Sequence, residues 1–143
     1  MEELDTLLID LLCNAYKKII YSEEKILKDM IGDSLSLKEF HTLDVIYDNS
    51  KNKTNTASNI ARNLGITLGT LTINIDRLTA KGYVHKVKNE KDKRITFIEL
   101  TEKGEQIRAK HEIIRRKLVT EATAHLSTSE KVALTNAMNK LEF

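Results

Sequence analysis

The 143-residue chain contains no proline, five glycines and one cysteine, and aromatic residues make up 5% of it. Without proline and with few glycines little interrupts a helix. Leu, Ile, Lys and Glu are abundant, so a mostly helical fold with few long loops is expected. The single Cys13 cannot form an intramolecular disulfide, which fits a reducing compartment. No apolar run approaches the roughly 20 residues that a membrane-spanning helix needs. The beginning of the chain, acidic at Glu2, Glu3 and Asp5, lacks the basic start of a secretory signal. A cytoplasmic protein with no membrane partner is expected. His41, His85, His111 and His125 are scattered, with no Cys/His spacing that encodes a zinc site. No phosphate loop and no pairing of a nucleophile with a base stands out, so neither a metal, a cofactor nor an enzymatic activity is expected.

The net charge of +2 is too small to identify a partner, but its distribution is informative. In the stretch Leu64 to Leu100, Leu68, Leu71, Ile75 and Leu78 mark one apolar face at helical spacing. Thr70, Thr72, Ile73, Asn74 and Arg77 face outward or flank it. Ala80 belongs to the last helical turn and Gly82 stops the helix. Two β-prone runs follow, Tyr83 to Val87 and Ile95 to Leu100, joined by the polar segment Lys88 to Arg94. From Lys86 to Arg94 five basic residues stand against Glu90 and Asp92. A helix with small polar side chains beside a basic hairpin is the footprint of a winged helix-turn-helix, its helix in the DNA major groove and its hairpin over the backbone or minor groove.

The rest of the chain supports that centre. Leu4, Leu7, Leu8, Leu11, Leu12, Ala15, Ile19, Ile26 and Met30 predict a first helix from Glu3 to about Asp29. This stripe is too long for a small winged lobe to cover and is read as a core shared with a second subunit, not one within the chain. Ser36-Leu37-Lys38-Glu39 is a capping box opening a second helix to about Tyr47, with Leu37, Phe40, Leu43, Val45 and Ile46 inward. Asp48 to Asn55 reads as a polar loop. Thr56 caps a short helix with Ala57, Ile60, Ala61 and Leu64 inward, ended by Gly65: the first arm of the helix-turn-helix. Leu100-Thr101-Glu102-Lys103-Gly104 leads into a long helix to about His125. Ser127-Thr128-Ser129-Glu130 opens a last one carrying Val132, Leu134, Ala137, Met138 and Leu141. The expected fold is mainly α with a small β-wing: a winged helix-turn-helix lobe over about 35–100, plus a helical dimerisation lobe from about 3–30 and 101–142.

This order of elements, with TLTINIDRLTAKGYV, then KNEKDKR, then LTEKG, resembles the MarR family of dimeric bacterial transcription regulators over nearly the whole chain. Asp92 and Arg94, as the D-x-R of the wing, and the LT-x-x-G after it are the most specific elements. The resemblance implies that Arg94 reaches the minor groove, that Asp92 holds its guanidinium, and that Arg77 makes a contact from the recognition helix. Many family members carry a basic residue where this chain has Ile73. A bidentate guanine contact from that position is therefore absent, and readout leans on Thr70, Thr72, thymine methyl contacts and DNA shape. A narrower similarity, in Glu39-Phe40-His41-Thr42-Leu43-Asp44-Val45-Ile46 and Leu68-Gly69-Thr70-Leu71-Thr72, is to the FabT branch, repressors of fatty-acid-synthesis genes. That branch uses long-chain acyl groups on acyl carrier protein as corepressor.

The expected partners are double-stranded DNA with a pseudo-palindromic operator, a second copy of the chain and, through the FabT similarity, acylated acyl carrier protein. The expected DNA-contacting residues are Ser58, Asn59, Thr67, Gly69, Thr70, Thr72, Asn74, Arg77, Lys86, Lys88, Lys91, Lys93 and Arg94, with Asp92 as support. His41 and Asp44, three apart on one helix, can share a face and hold an effector or each other. Some relatives sense peroxides through a first-helix cysteine near tyrosines, as Cys13 lies near Tyr16 and Tyr21. Leu11, Leu12 and Ala15 around it favour apolar packing instead. Two alternatives to fatty-acid control stay open: another regulon released by a small ligand, or a peroxide sensor acting at Cys13.

Overall fold

A computed structural model describes residues 2–142. In order, the elements are α1 (Glu2–Ile31), α2 (Leu37–Lys51), α3 (Ala57–Leu64), α4 (Leu68–Ala80), β1 (Val84–Lys88), β2 (Thr96–Leu100), α5 (Glu102–Ala122) and α6 (Thr128–Met138). The chain divides into two units, Met1–His111 and Glu112–Phe143. The fold is mainly α with a small antiparallel β-wing, as the periodicity predicts.

In the first unit, side chains at helical spacing supply the core. Phe40, Leu43 and Ile46 of α2 pack with Ile60 and Ala61 of α3 and with Leu71, Ile75 and Leu78 of α4, closed by Tyr83, Val84, Ile98 and Leu100 around the wing. Local chemistry sets the boundaries. Ser36 and Glu39 form the predicted capping box: the Ser36 hydroxyl accepts from the Glu39 N–H at 3.2 Å, and the Glu39 carboxylate accepts from the Ser36 N–H at 2.9 Å. Thr56 and Thr67 cap α3 and α4, and between them Gly65 takes the left-handed φ of 66° that ends α3.

Three expectations change. α2 runs through Lys51, beyond Tyr47 and into the segment read as a loop. The reason is Asn49, buried, whose amide donates to the Val45 carbonyl at 2.9 Å and accepts from Thr54 Oγ1 at 2.9 Å and Asn63 Nδ2 at 3.1 Å. A polar side chain satisfied on both sides costs little to bury. Leu68 is 50% exposed and does not join Leu71, Ile75 and Leu78 in the core, because it opens the first turn of α4. α5 stops at Ala122, short of His125.

The LTEKG segment fastens α5 to the base of the wing. Thr101 Oγ1 donates to the Gly82 carbonyl at 2.6 Å and accepts from the Gly104 N–H at 3.2 Å, while the Thr101 N–H donates to the Tyr83 carbonyl at 3.0 Å. A Cβ at Gly104 would lie 2.2 Å from the Tyr83 carbonyl oxygen, so only glycine fits. On the first unit's part of α5, His111 is fully buried with its ring centroid 4.2 Å from that of Phe40.

The long stripe of α1 is not a core within its unit. Among the described residues of α1 only Glu23 and Leu27 are buried, whereas Leu4, Leu7, Leu8, Leu11, Leu12 and Ile19 are exposed. In the second unit Glu112 pairs with Arg115 and Arg116, which hold its carboxyl below the usual range. Ser127 and Glu130 form the capping box of α6, none of whose described residues is buried.

Two predictions follow from this packing. Gly104→Ala should destabilise the protein by about 2 kcal/mol or more, since the clash is with backbone. Gly69→Ala, at a position with nothing within 4 Å, should be neutral or stabilising; urea unfolding compares them, and equal effects would refute the close approach at Tyr83. The second concerns Glu39. Burial pushes its carboxyl up, but the Ser36 N–H and the Lys81 ammonium, 2.9 Å away, more than offset this and hold it below the ordinary value. Its stabilisation is complete above the usual glutamate range and is lost as pH falls through the lower folded-state value. Glu39→Gln should therefore lower unfolding stability at neutral pH, with the gap to the parent closing below about pH 4. A gap independent of pH would contradict it.

Candidate nucleic-acid interface

The turn between α3 and α4 and the hairpin after α4 lie in the same unit and are positioned by the same core. α4 is held by one face. Leu71 and Leu78 are fully buried and Ile75 is 2% exposed, while Gly69, Thr70, Thr72, Ile73 and Arg77 are exposed and Asn74 is half-buried. The N-terminal hydroxyls are ordered: the Thr67 Oγ1 accepts from the Thr70 N–H at 3.2 Å and donates to Thr70 Oγ1 at 2.9 Å. Thr72 Oγ1 donates to the Leu68 carbonyl at 2.9 Å, so its proton is engaged within the helix.

On α3, Ser58 is exposed. Asn59 is tied at both ends of its amide, donating to the Thr54 carbonyl at 3.0 Å and accepting from Arg62 at 3.1 Å. Asn59 therefore orders the turn before α3 and positions Arg62.

The wing is a two-stranded ladder in which Val84 faces Leu100 and Lys88 faces Thr96. Asn55, a buried residue before α3, locks it to the body. Its amide donates to the Ile98 carbonyl at 2.8 Å, its backbone carbonyl accepts from the Ile98 N–H at 2.9 Å, and Thr56 bridges Phe97. Sequence reasoning placed Asn55 in a loop and gave it no role. The one available signal was an amide side chain just ahead of a helix cap.

The tip is built by side chains that turn the backbone. Asn89 Oδ1 accepts from the Lys91 N–H at 2.8 Å, and the Asp92 carbonyl accepts from the Ile95 N–H at 3.0 Å. Asp92 then grips Arg94 twice: Oδ1 accepts from Nε at 3.0 Å and Oδ2 from a terminal nitrogen at 3.1 Å. The backbone N–H of Arg94 also donates to Oδ1, at 3.1 Å. These bonds hold the Asp92 carboxyl below its usual range and raise the Arg94 guanidinium, so both remain charged. The Arg94 side chain is 92% exposed despite this grip. The guanidinium is thus oriented by the carboxylate and open to solvent. Lys88, Lys91 and Lys93 are exposed around it. Lys86 lies 3.7 Å from Asp76 of α4, an ion pair linking wing and helix.

His41 and Asp44 do not pair with each other. His41 Nε2 lies 3.3 Å from Glu23 of α1, and Asp44 lies 3.2 Å from Arg108 of α5, whose guanidinium stacks 3.5 Å from the Tyr47 ring centre. Their helical spacing was right, but long-range partners won. His41 lines a groove of about 650 Å³ shared with Lys38 and Thr42 of α2 and with Thr70, Asn74 and Arg77 of α4. Cys13 is exposed, as are Leu11 and Leu12, so the apolar packing expected for the thiol is not supplied by the chain itself. Among the described residues no group of three or more His, Cys, Asp or Glu side chains is placed to hold a metal. Among the described residues no helix is long and apolar enough to cross a membrane.

Comparison with known proteins places this geometry. The family described as transcriptional regulator SarA/Rot matches residues 16–113. Over 79 residues the chain is 34% identical to the multiple antibiotic resistance protein MarR of Escherichia coli strain K12, which covers 54% of this chain and 55% of that protein. The chain thus spans about half the length of the curated relative it matches. The structure is similar to that of Streptococcus pneumoniae FabT in complex with DNA, with a TM-score of 0.83 and 28% identity, covering 94% of this chain and 92% of that one. A MarR family protein from Bacillus stearothermophilus shares the fold with a TM-score of 0.83 at 21% identity, covering 98% and 94% of the two chains. The chain thus belongs to the SarA/Rot family of transcriptional regulators and shares its winged-helix fold with FabT and the MarR family protein.

Proposed function

We propose that the chain is a homodimeric repressor that binds a pseudo-palindromic DNA operator, with α4 of each subunit in a major groove and each wing on the flanking backbone or minor groove. The observation that carries this reading is the Arg94 guanidinium, clamped by Asp92 yet 92% exposed, beside a helix whose outer face is uncovered. Thr67, Gly69, Thr70, Thr72, Asn74 and Arg77 face base edges or nearby phosphates. Ser58, Lys86, Lys88, Lys91 and Lys93 supply backbone contacts, and Asn59 acts by ordering the α3 turn. The exposed apolar stripe of α1 supports assembly with a second copy, since so large an uncovered surface is unusual on a monomer. Two-fold docking sets the recognition helices about 34 Å apart.

For control, the similarity to FabT at 28% identity supports fatty-acid-synthesis genes as targets, with long-chain acyl-acyl carrier protein as corepressor. His41 and the groove it shares with Thr70, Asn74 and Arg77 give an effector a direct mechanical route to α4. A ligand acts there only if it binds one placement of α4 better than another. The peroxide alternative has in its favour the exposure of Cys13.

Arg94→Ala should weaken binding to every duplex and reduce the slope of log affinity against log salt by about 1. Thr72→Ala should instead change the ranking among duplexes. Fluorescence anisotropy across a salt series reads both, and an unchanged slope for Arg94→Ala would sink the wing assignment. With promoter DNA from fatty-acid-synthesis genes, long-chain acyl carrier protein should tighten binding by about fivefold or more, and unacylated carrier should not. Indifference to the acyl chain would remove fatty-acid control while leaving DNA binding intact.

A further inference from the structure

We infer that Ile73 reads thymine methyl groups in the major groove and is a specificity-determining residue of α4. The inference rests on the DNA-binding reading above. At about 100° per residue, Ile73 sits roughly 170° from the centre of the face formed by Leu71, Ile75 and Leu78. It therefore occupies the outer pole of the helix, opposite the side chains that anchor it, and it is 55% exposed.

Isolated exposed isoleucines are ordinary on protein surfaces, but the surroundings of this one are specific. Gly69 lies one turn earlier, and nothing comes within 4 Å of where its Cβ would be. Helical side chains lean toward the N-terminus, so Ile73 projects over this bare stretch of backbone. A knob beside a notch allows a flat base edge to come close.

The neighbouring polar groups do not take over the contact. The Thr72 hydroxyl spends its proton on the Leu68 carbonyl, at 2.9 Å. Asp76, on the same outer side, is 3.7 Å from Lys86, an arrangement that tempers its repulsion of phosphates. Pressed against a phosphate or a base amide, Ile73 would strip water from polar groups and return no hydrogen bond. The thymine C5-methyl is the apolar group that the major groove offers. Ile73 thus selects A·T pairs oriented to present thymine to the outer pole of α4.

The test uses the full-length protein and a duplex selected by it from a random pool, in which each thymine is replaced in turn by uracil. Uracil keeps the pairing and deletes only the methyl. At one or two adjacent positions of each half-site the parent should lose about fourfold in affinity per methyl. In Ile73→Ala that loss should vanish at those positions, with the salt slope unchanged, and Ile73→Val should retain most of it. Equal affinity for thymine and uracil duplexes, or a uracil penalty that persists in Ile73→Ala, would overturn the assignment. Absence of salt-dependent binding to any duplex would overturn the DNA-binding reading, and this inference with it.

Discussion

The structure depends on how α4 is held. Leu71, Ile75 and Leu78 are buried in the core shared with α2, α3 and the wing, so the helix is fixed along one face and left bare along the other. A helix gripped all round presents nothing, and one gripped weakly holds no register on a regular lattice of bases. Burial of three large aliphatic side chains, each contributing about 1.5–3 kcal/mol, gives α4 its fixed position without using a single outward side chain.

The same economy governs the wing. A two-stranded hairpin is marginal by itself, and here it is fastened twice: at its middle by Asn55 to Ile98, and at its base by Thr101, which donates to the carbonyls of Gly82 and Tyr83 and accepts from the Gly104 N–H. Its tip is shaped by Asn89 and Asp92, whose side chains replace backbone hydrogen bonds that a short turn cannot make. Asp92 also orients Arg94, so one carboxylate both folds the tip and aims its charge. This accounts in physical terms for the D-x-R and LT-x-x-G patterns seen in the sequence.

Most of the fold was legible because it is written in local chemistry. The capping residues Ser36, Thr56 and Ser127, the stops at Gly65 and Gly82, and the alternating runs of the wing act within a few residues of themselves, whereas the cap that Thr67 provides was not read from the sequence. What was not legible depends on residues far away in sequence. Asn49 extends α2 because Asn63 and Thr54 satisfy its amide, and Asn55 matters because Ile98 lies opposite it. His41 and Asp44 share a helix but are drawn to Glu23 and Arg108 on other elements. Leu68 fits the apolar period and still faces solvent, since the first turn of a helix extends past the core. The stripe of α1 was read from its periodicity as a core shared with a second subunit, and in the single chain Leu4, Leu7, Leu8, Leu11, Leu12 and Ile19 are exposed.

If a pair of these helices and wings embraces DNA about a two-fold axis, as proposed, a hydroxyl-radical footprint on a bound duplex will carry that symmetry. The expected pattern is symmetric about one centre, with protected backbone on either side spaced by about one helical turn, or 10 base pairs, and further minor-groove protection outside it from the wings. A single asymmetric block, or protection without minor-groove flanks, would rule out two-fold docking with the wings on DNA.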